Sequence, residues 1–441
     1  MKLYAPWEKA FNKLSTPFEH FLHAQTTTGI VLLFMTVLAL ILANSPLEEA
    51  YAHFFHIKID LNVGSWQLSH SIHHWINDGL MAIFFFIIGL EIKREILVGE
   101  LSNIKVAILP ILAAIGGMIF PALIYLAINS GTVGATGWGI PMATDIAFAI
   151  SALVLLGKRV PTALVTFLVA LAIVDDLGAV LVIAIFYTEQ IIMLPLALAG
   201  VMFLILIAFN RFGIHRILPY FIIGLLMWFF MLESGVHATI AGVIVAMAIP
   251  SKPKQAPASF SKEARELLDE YDNFPISEDH IIHEKQKSIL MKIEEKMKDI
   301  GTPAARLEES LHLPIAIIII PLFALANAGI SIDFSSIGTT IVEPISLGVI
   351  AGLIFGKVIG IFGISWIAIK SKIASLPKDS TMSQIFGVAF LGGIGFTMSI
   401  FVADLAFIGN PEAIFQAKVG ILAASLFAGT FGYLWLKHIA K

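Results

Sequence analysis

Four ionisable side chains stand inside otherwise apolar runs: Asp175 and Asp176 side by side, Asp145 in the preceding run, and Lys357 far along the chain. Each opposes insertion into a bilayer by about 2.5–3.5 kcal/mol, and the four together by roughly 10 kcal/mol before any pairing. Groups that costly inside a membrane usually mark a pathway for ions or protons. Neighbours on a helix diverge by about 100°, so Asp175 and Asp176 need not serve the same partner. One can face a cavity while the other turns toward Lys357. A carboxylate out of water takes up a proton more readily than one in water, and its oxygens are hard ligands suited to a hard cation. A proton and a cation then compete for the same oxygens, and a site that opens alternately to each side converts that competition into obligatory exchange. In the plainer alternative Lys357 only neutralises one aspartate, which leaves the other two uncompensated.

The elements that must hold these groups are membrane spans. The 441 residues are 58% apolar and 14% charged, against ~25% charged in soluble proteins. The net charge of -4 and the absence of a basic patch exclude nucleic acid as a partner, and the absence of cysteine excludes disulfides, thiolate metal sites and cysteine nucleophiles. Runs long enough for ~30 Å of hydrocarbon fall near 27–45, 75–96, 104–128, 138–157, 161–187, 190–209, 215–232, 234–249, 312–330, 344–369, 384–406 and 412–437. The expectation is an all-α polytopic protein of twelve spans. Lysine and arginine in the loops, with Lys93, Arg94, Lys158, Arg159, Arg211 and Arg216 on one side and only Lys58 and Lys418 on the other, set both termini in the cytoplasm.

Three domains follow: residues 1–250 with spans one to eight, a hydrophilic cytoplasmic insert at 251–311, and 312–441 with spans nine to twelve. Met1 to Gln25 has the spacing of an interfacial amphipathic helix. Within the insert Glu278 to Ile300 has amphipathic helical spacing, serving as a linker or as a regulatory flap. On the outer side Phe55 to Leu68 alternates like a hairpin turning at Asn62–Gly64. A lone two-stranded hairpin is marginal in water, so a second copy of the chain is the simplest partner, giving a homodimer in the lipid bilayer.

Two spans carry helix-breaking residues: Gly139–Ile140–Pro141 just before Asp145, and Gly392–Gly393–Ile394–Gly395 in the eleventh. Interrupted spans at matching places in two halves point to an ion site between inverted repeats, here spans three to five against ten to twelve. Glycines that merely allow close packing are the alternative.

With those residues in view, the sequence resembles the NhaA family of sodium/proton antiporters. The resemblance rests on residues 137–149 (GWGIPMATDIAFA), 171–179 (LAIVDDLGA), 75–82 (WINDGLMA), 89–95 (GLEIKRE), 234–239 (SGVHAT) and 393–400 (GIGFTMSI). It implies a bacterial inner-membrane protein with spans four and eleven unwound and crossed. It implies electrogenic exchange of Na⁺ or Li⁺ for a larger number of protons, without a cofactor. By resemblance Asp176 is the principal cation ligand, Asp175 its partner paired with Lys357, Thr144 a further oxygen ligand, and Asp145 the charge that compensates helix ends. Gly393 and Gly395 are the break in span eleven. The resemblance further implies switching at alkaline pH through a cluster of Glu91, Glu95, Glu308 and His312, with His237 as an outer modulator. Glu91 and Glu95 read equally well as an ordinary helix end, and His237 as part of the surface. An intramembrane aspartyl protease would need carboxylates converging from two spans, and a passive channel would not need broken helices at a closed midplane, so neither an enzyme nor a channel is expected.

Overall fold

In a bilayer the backbone must satisfy its own polar groups, so apolar runs of this length become helices. The computed structural model describes residues 25–63, 66–188, 191–255, 257–274, 282–331 and 337–439. The expected N-terminal amphipathic helix lies almost wholly outside the described residues. Among the described residues, seven helical segments are long and apolar enough to cross a membrane: Ile104–Asn129, Val133–Val154, Thr162–Phe186, Met193–Arg211, Pro303–Asn327, Pro344–Lys370 and Pro411–Ile439. Two bent pairs raise the number to nine, Thr27–Ala43 with Glu48–His56 at 112° and Met382–Leu391 with Phe396–Ala406 at 47°. Shorter apolar helices occupy Met81–Leu97, Ile217–Glu233 and Thr239–Ala248. The chain is an all-α polytopic membrane protein.

Three boundaries differ from the sequence reading. Strands β1 (Lys58–Val63) and β2 (Trp66–Ser71) pair antiparallel with Val63 opposite Trp66, so Asn62 and Val63 sit in a strand and not in the turn. Residues 64 and 65 fall outside the description. Phe55 and His56 instead close the helix Glu48–His56. The helix of the expected ninth span begins at Pro303, earlier than 312, because the Thr302 hydroxyl accepts the Ala305 N–H at 3.1 Å and proline suits a first turn. In the insert, Glu284–Ile300 is helical behind a His283 cap, and a second helix, Pro257–Asp272, packs beside it.

Packing brings the site's elements together. The helix Ile104–Asn129 lies against Pro344–Lys370 so closely that a Cβ on Gly356 would stand 2.5 Å from Pro121 Cα. In Pro344–Lys370 the turns 352–356 and 358–363 are π-helical on either side of Lys357. Such local widening often accompanies functional sites.

Candidate ion-binding site

The 3₁₀ segment Val133–Met142 contains Pro141 and stops at Ala143, whose backbone is extended; the α-helix Ile146–Val154 begins after Asp145. Asp145 Oδ1 caps that helix by accepting the Phe148 N–H at 3.2 Å. Across from it, Met382–Leu391 ends at Gly392 and Phe396–Ala406 starts after Gly395. Close approach requires glycine at 393, since a Cβ there would lie 2.5 Å from the Leu353 carbonyl oxygen and 3.0 Å from that of Phe390. A Cβ on Gly395 would meet Leu353 Cδ2 at 2.9 Å and the Ser399 side chain.

The two breaks touch. Asp145 N–H donates to the Ile394 carbonyl at 2.6 Å. Asp145 Oδ2 accepts the Thr397 N–H at 3.1 Å and its hydroxyl at 2.5 Å. One buried carboxylate therefore serves the N-terminal ends of two short helices, where backbone dipoles favour negative charge. The C-terminal ends are served by hydroxyls of the opposite chain segment. Thr144 donates to the Gly392 carbonyl at 2.8 Å, and Ser399 donates to the Ile140 carbonyl at 2.8 Å. Sequence reading missed Thr397 and Ser399; the signal available was their place two and four residues after Gly395, the last glycine of the break.

Asp175 and Asp176 come from the middle of Thr162–Phe186 and are each 1% exposed. Lys357, with 0% exposure, reaches Asp175 Oδ2 at 2.8 Å and the Thr144 oxygen at 2.9 Å. The helical divergence of the two aspartates is realised: Asp175 meets the lysine and Asp176 does not. Asp176 has no hydrogen-bond partner on either oxygen, and Asp175 Oδ1 has none. A desolvated carboxylate without a partner costs several kcal/mol, so these three oxygens are where a proton or a cation is most wanted. Among the described residues no three histidine or acidic side chains converge as a metal cage. The chemistry available is reversible binding of a hard, weakly held cation or of protons.

The other expected residues lie apart from this centre. Arg94 pairs with Glu308 at 2.6 Å and Glu95 at 3.0 Å, and Glu95 also accepts the Glu100 N–H at 3.0 Å. Glu91 is one turn before Glu95 on the same helix and half-buried. His237 donates from Nε2 to the Tyr187 carbonyl at 2.7 Å. Tyr187 in turn donates its hydroxyl to the Thr136 carbonyl at 2.9 Å and accepts the Gly139 N–H at 3.1 Å, tying His237 to the 3₁₀ segment Val133–Met142. Nothing in the spacing pointed to Tyr187.

Residues 19–436 match the family model described as Na+/H+ antiporter 1. The Na(+)/H(+) antiporter NhaA of Sulfurimonas denitrificans is 70% identical over 100% of this chain and 99% of its own length. The Na(+)/H(+) antiporter NhaA 1 of Saccharophagus degradans is 52% identical over 98% of this chain and 94% of its own. The Na(+)/H(+) antiporter NhaA of Dichelobacter nodosus is 48% identical over 98% and 94% respectively. Paired buried aspartates beside a lysine, a broken backbone that meets itself, and similarity along the whole length converge on one assignment: the chain belongs to the NhaA family of Na⁺/H⁺ antiporters, transporters that use no cofactor and whose substrates are the ions themselves.

Proposed function

We propose that this protein exchanges cytoplasmic Na⁺ or Li⁺ for external H⁺, electrogenically and with activation at alkaline pH. The observation that carries the reading is the buried Asp176 carboxylate without a partner beside the neutralised Asp175–Lys357 pair. In the proton-loaded form, protons neutralise the acidic cluster. A cation entering from the cytoplasm is held by Asp176, with Asp175 Oδ1 and the Thr144 oxygen in reach of the same cluster, and displaces those protons. The bound form then opens outward, releases the cation and reloads with protons. Asp145, with Lys357, compensates the ends of the broken helices so that the polar break can exist in the bilayer. If two protons enter for each monovalent cation, each cycle moves net positive charge inward, which makes exchange electrogenic.

The architecture we infer has twelve spans, with four and eleven broken and crossed, and both termini in the cytoplasm of a bacterial inner membrane. The loop lysines and arginines and the contact between the two breaks support it. Glu91, Glu95, Glu308 and His312 form the proposed alkaline switch, supported by the Arg94–Glu308 and Arg94–Glu95 pairs at one helix end, and His237 modulates it from the outer side. The working unit is a homodimer joined through the outer hairpin. Everted vesicles test the reading. Na⁺ or Li⁺ should collapse an imposed proton gradient, more strongly as pH rises from about 6.5 to 9, and an imposed membrane potential should change the rate. No collapse at any pH would overturn it.

A further inference from the structure

The helix Glu284–Ile300 has two faces. Its inner side, with Gln286 and Ile289 buried and Lys296 ion-paired to Glu263, packs toward Pro257–Asp272. Its outer side faces away from that helix, with Met291, 61% exposed, at its centre. The order of residues along that side is self-complementary. Glu284 and Lys298 stand equally far on either side of Met291, as do Lys287 and Glu295, and Ser288 and Glu294. A copy of the helix laid antiparallel across the first, with the two Met291 side chains on the axis, sets Glu284 against Lys298 and Lys287 against Glu295, with Ser288 beside Glu294 and Lys292 beside Leu290. A parallel copy in register would set like charges face to face.

The insert is also built as an independent outgrowth. At its base the Asp299 carbonyl accepts the Lys254 N–H at 3.0 Å and the Gln255 N–H at 3.2 Å, and Lys254 Nζ pairs with the Asp299 carboxylate at 3.0 Å. The Pro250 carbonyl accepts the Ala304 N–H at 3.3 Å, so the two connections to the membrane body are held side by side. A module closed in this way presents its outer face without disturbing the spans.

We propose that the outer face of Glu284–Ile300 docks against the same face of a second copy of this chain, forming an antiparallel helix pair about Met291 on the cytoplasmic side. This rests on the homodimer proposed above and adds a second contact to it. Two copies in one membrane share a two-fold axis along the bilayer normal, and that axis sets any helix lying across it antiparallel to its copy. Lys298 already pairs with Glu294 within the chain at 2.6 Å, but both are more than half exposed, so Lys298 can exchange partners at little cost. The charged pairs choose register and partner, while tethering in the bilayer supplies the effective concentration that so small a contact needs.

The chain contains no cysteine, so single cysteines report without ambiguity. In membranes holding the full chain, Met291→Cys should cross-link to its copy through a short thiol-to-thiol reagent. Leu268→Cys, half exposed on the neighbouring helix, should not. Adding Glu284→Lys to Met291→Cys should cut the yield by roughly tenfold. Adding Lys298→Glu as well, which restores the charge match between the two copies, should recover it. Asp60→Cys on the hairpin serves as the independent report of the dimer. Cross-linking at residue 60 and none at 291 would leave the dimer standing and overturn the helix pair. No cross-linking at either would overturn both. Yields at 291 that ignore the charge changes, or that Leu268→Cys equals, would overturn it as chance collision.

Discussion

Replacing Asp175 by Asn leaves Lys357 as a fully buried cation whose remaining partner is the neutral Thr144 hydroxyl. Breaking a buried pair by removing one member costs about 3–5 kcal/mol, because the survivor keeps its desolvation penalty and loses the Coulombic return. The pair here is short, at 2.8 Å, and both members are essentially inaccessible, so the full range applies. Lys357→Met alone should cost a similar amount by stranding Asp175. Asp175→Asn together with Lys357→Met removes both charges and should regain most of that loss, since a buried pair replaced by neutral groups of similar size is often close to neutral in stability. For a chain of 441 residues, about 4 kcal/mol corresponds to a fall in melting temperature of roughly 4 °C or more. Thermal unfolding of the purified protein in detergent, followed by tryptophan fluorescence, measures all three variants. If the double variant melts as low as the sum of the two singles requires, the two groups act independently and the pairing argument fails.

Three further outcomes follow from the geometry. Thr397→Val removes the 2.5 Å hydroxyl bond to Asp145 but keeps the N–H bond, and should lower stability by about 1.5–3 kcal/mol, read in the same melting assay. Gly393→Ala pushes a methyl against two backbone carbonyls and should cost about 1–3 kcal/mol and reduce exchange in vesicles; unchanged melting and transport would show that the break tolerates a side chain. His73, in the short turn Ile72–His74 that precedes the apolar helix Met81–Leu97, is held below its ordinary value of 6.5 by burial, which Asp404 and the Asn327 hydrogen bond oppose and Lys418 and His56 reinforce. A base depressed in the fold contributes its stability in full above pH 6.5 and loses it as pH falls, with a slope of at most about 1.4 kcal/mol per pH unit. Melting from about pH 7.5 down to 5 should show that loss, to which other similarly depressed histidines, His70 and His74 among them, add, and His73→Gln should make it shallower.

Much of the architecture was legible because membranes enforce it. An apolar run of the length of Thr162–Phe186 has no alternative to a helix, and Asp175 and Asp176 stood out as two acids within it. Gly139, Pro141 and Gly392–Gly395 announced the breaks for the same reason, since few other residues interrupt a buried helix. What spacing left open was orientation. That Lys357 meets Asp175 and not Asp176 depends on the rotation of two helices about their axes, and only the family resemblance pointed to it. Thr397 and Ser399 were marked only by their nearness to Gly395, and what their hydroxyls hold shows only when the opposite break lies against them. The helix Pro257–Asp272 escaped notice because charged helices lack a long apolar run, and the hairpin register shifted because alternation alone does not say where a turn falls.

The central claim is that Na⁺ and H⁺ compete for Asp176. Adding Na⁺ to purified protein in weakly buffered detergent solution near the pH of half-maximal exchange should release protons, detected with a pH indicator, and Asp176→Asn should release none while melting as a folded protein. Proton release by the folded Asp176→Asn variant equal to that of the unmodified chain would contradict it.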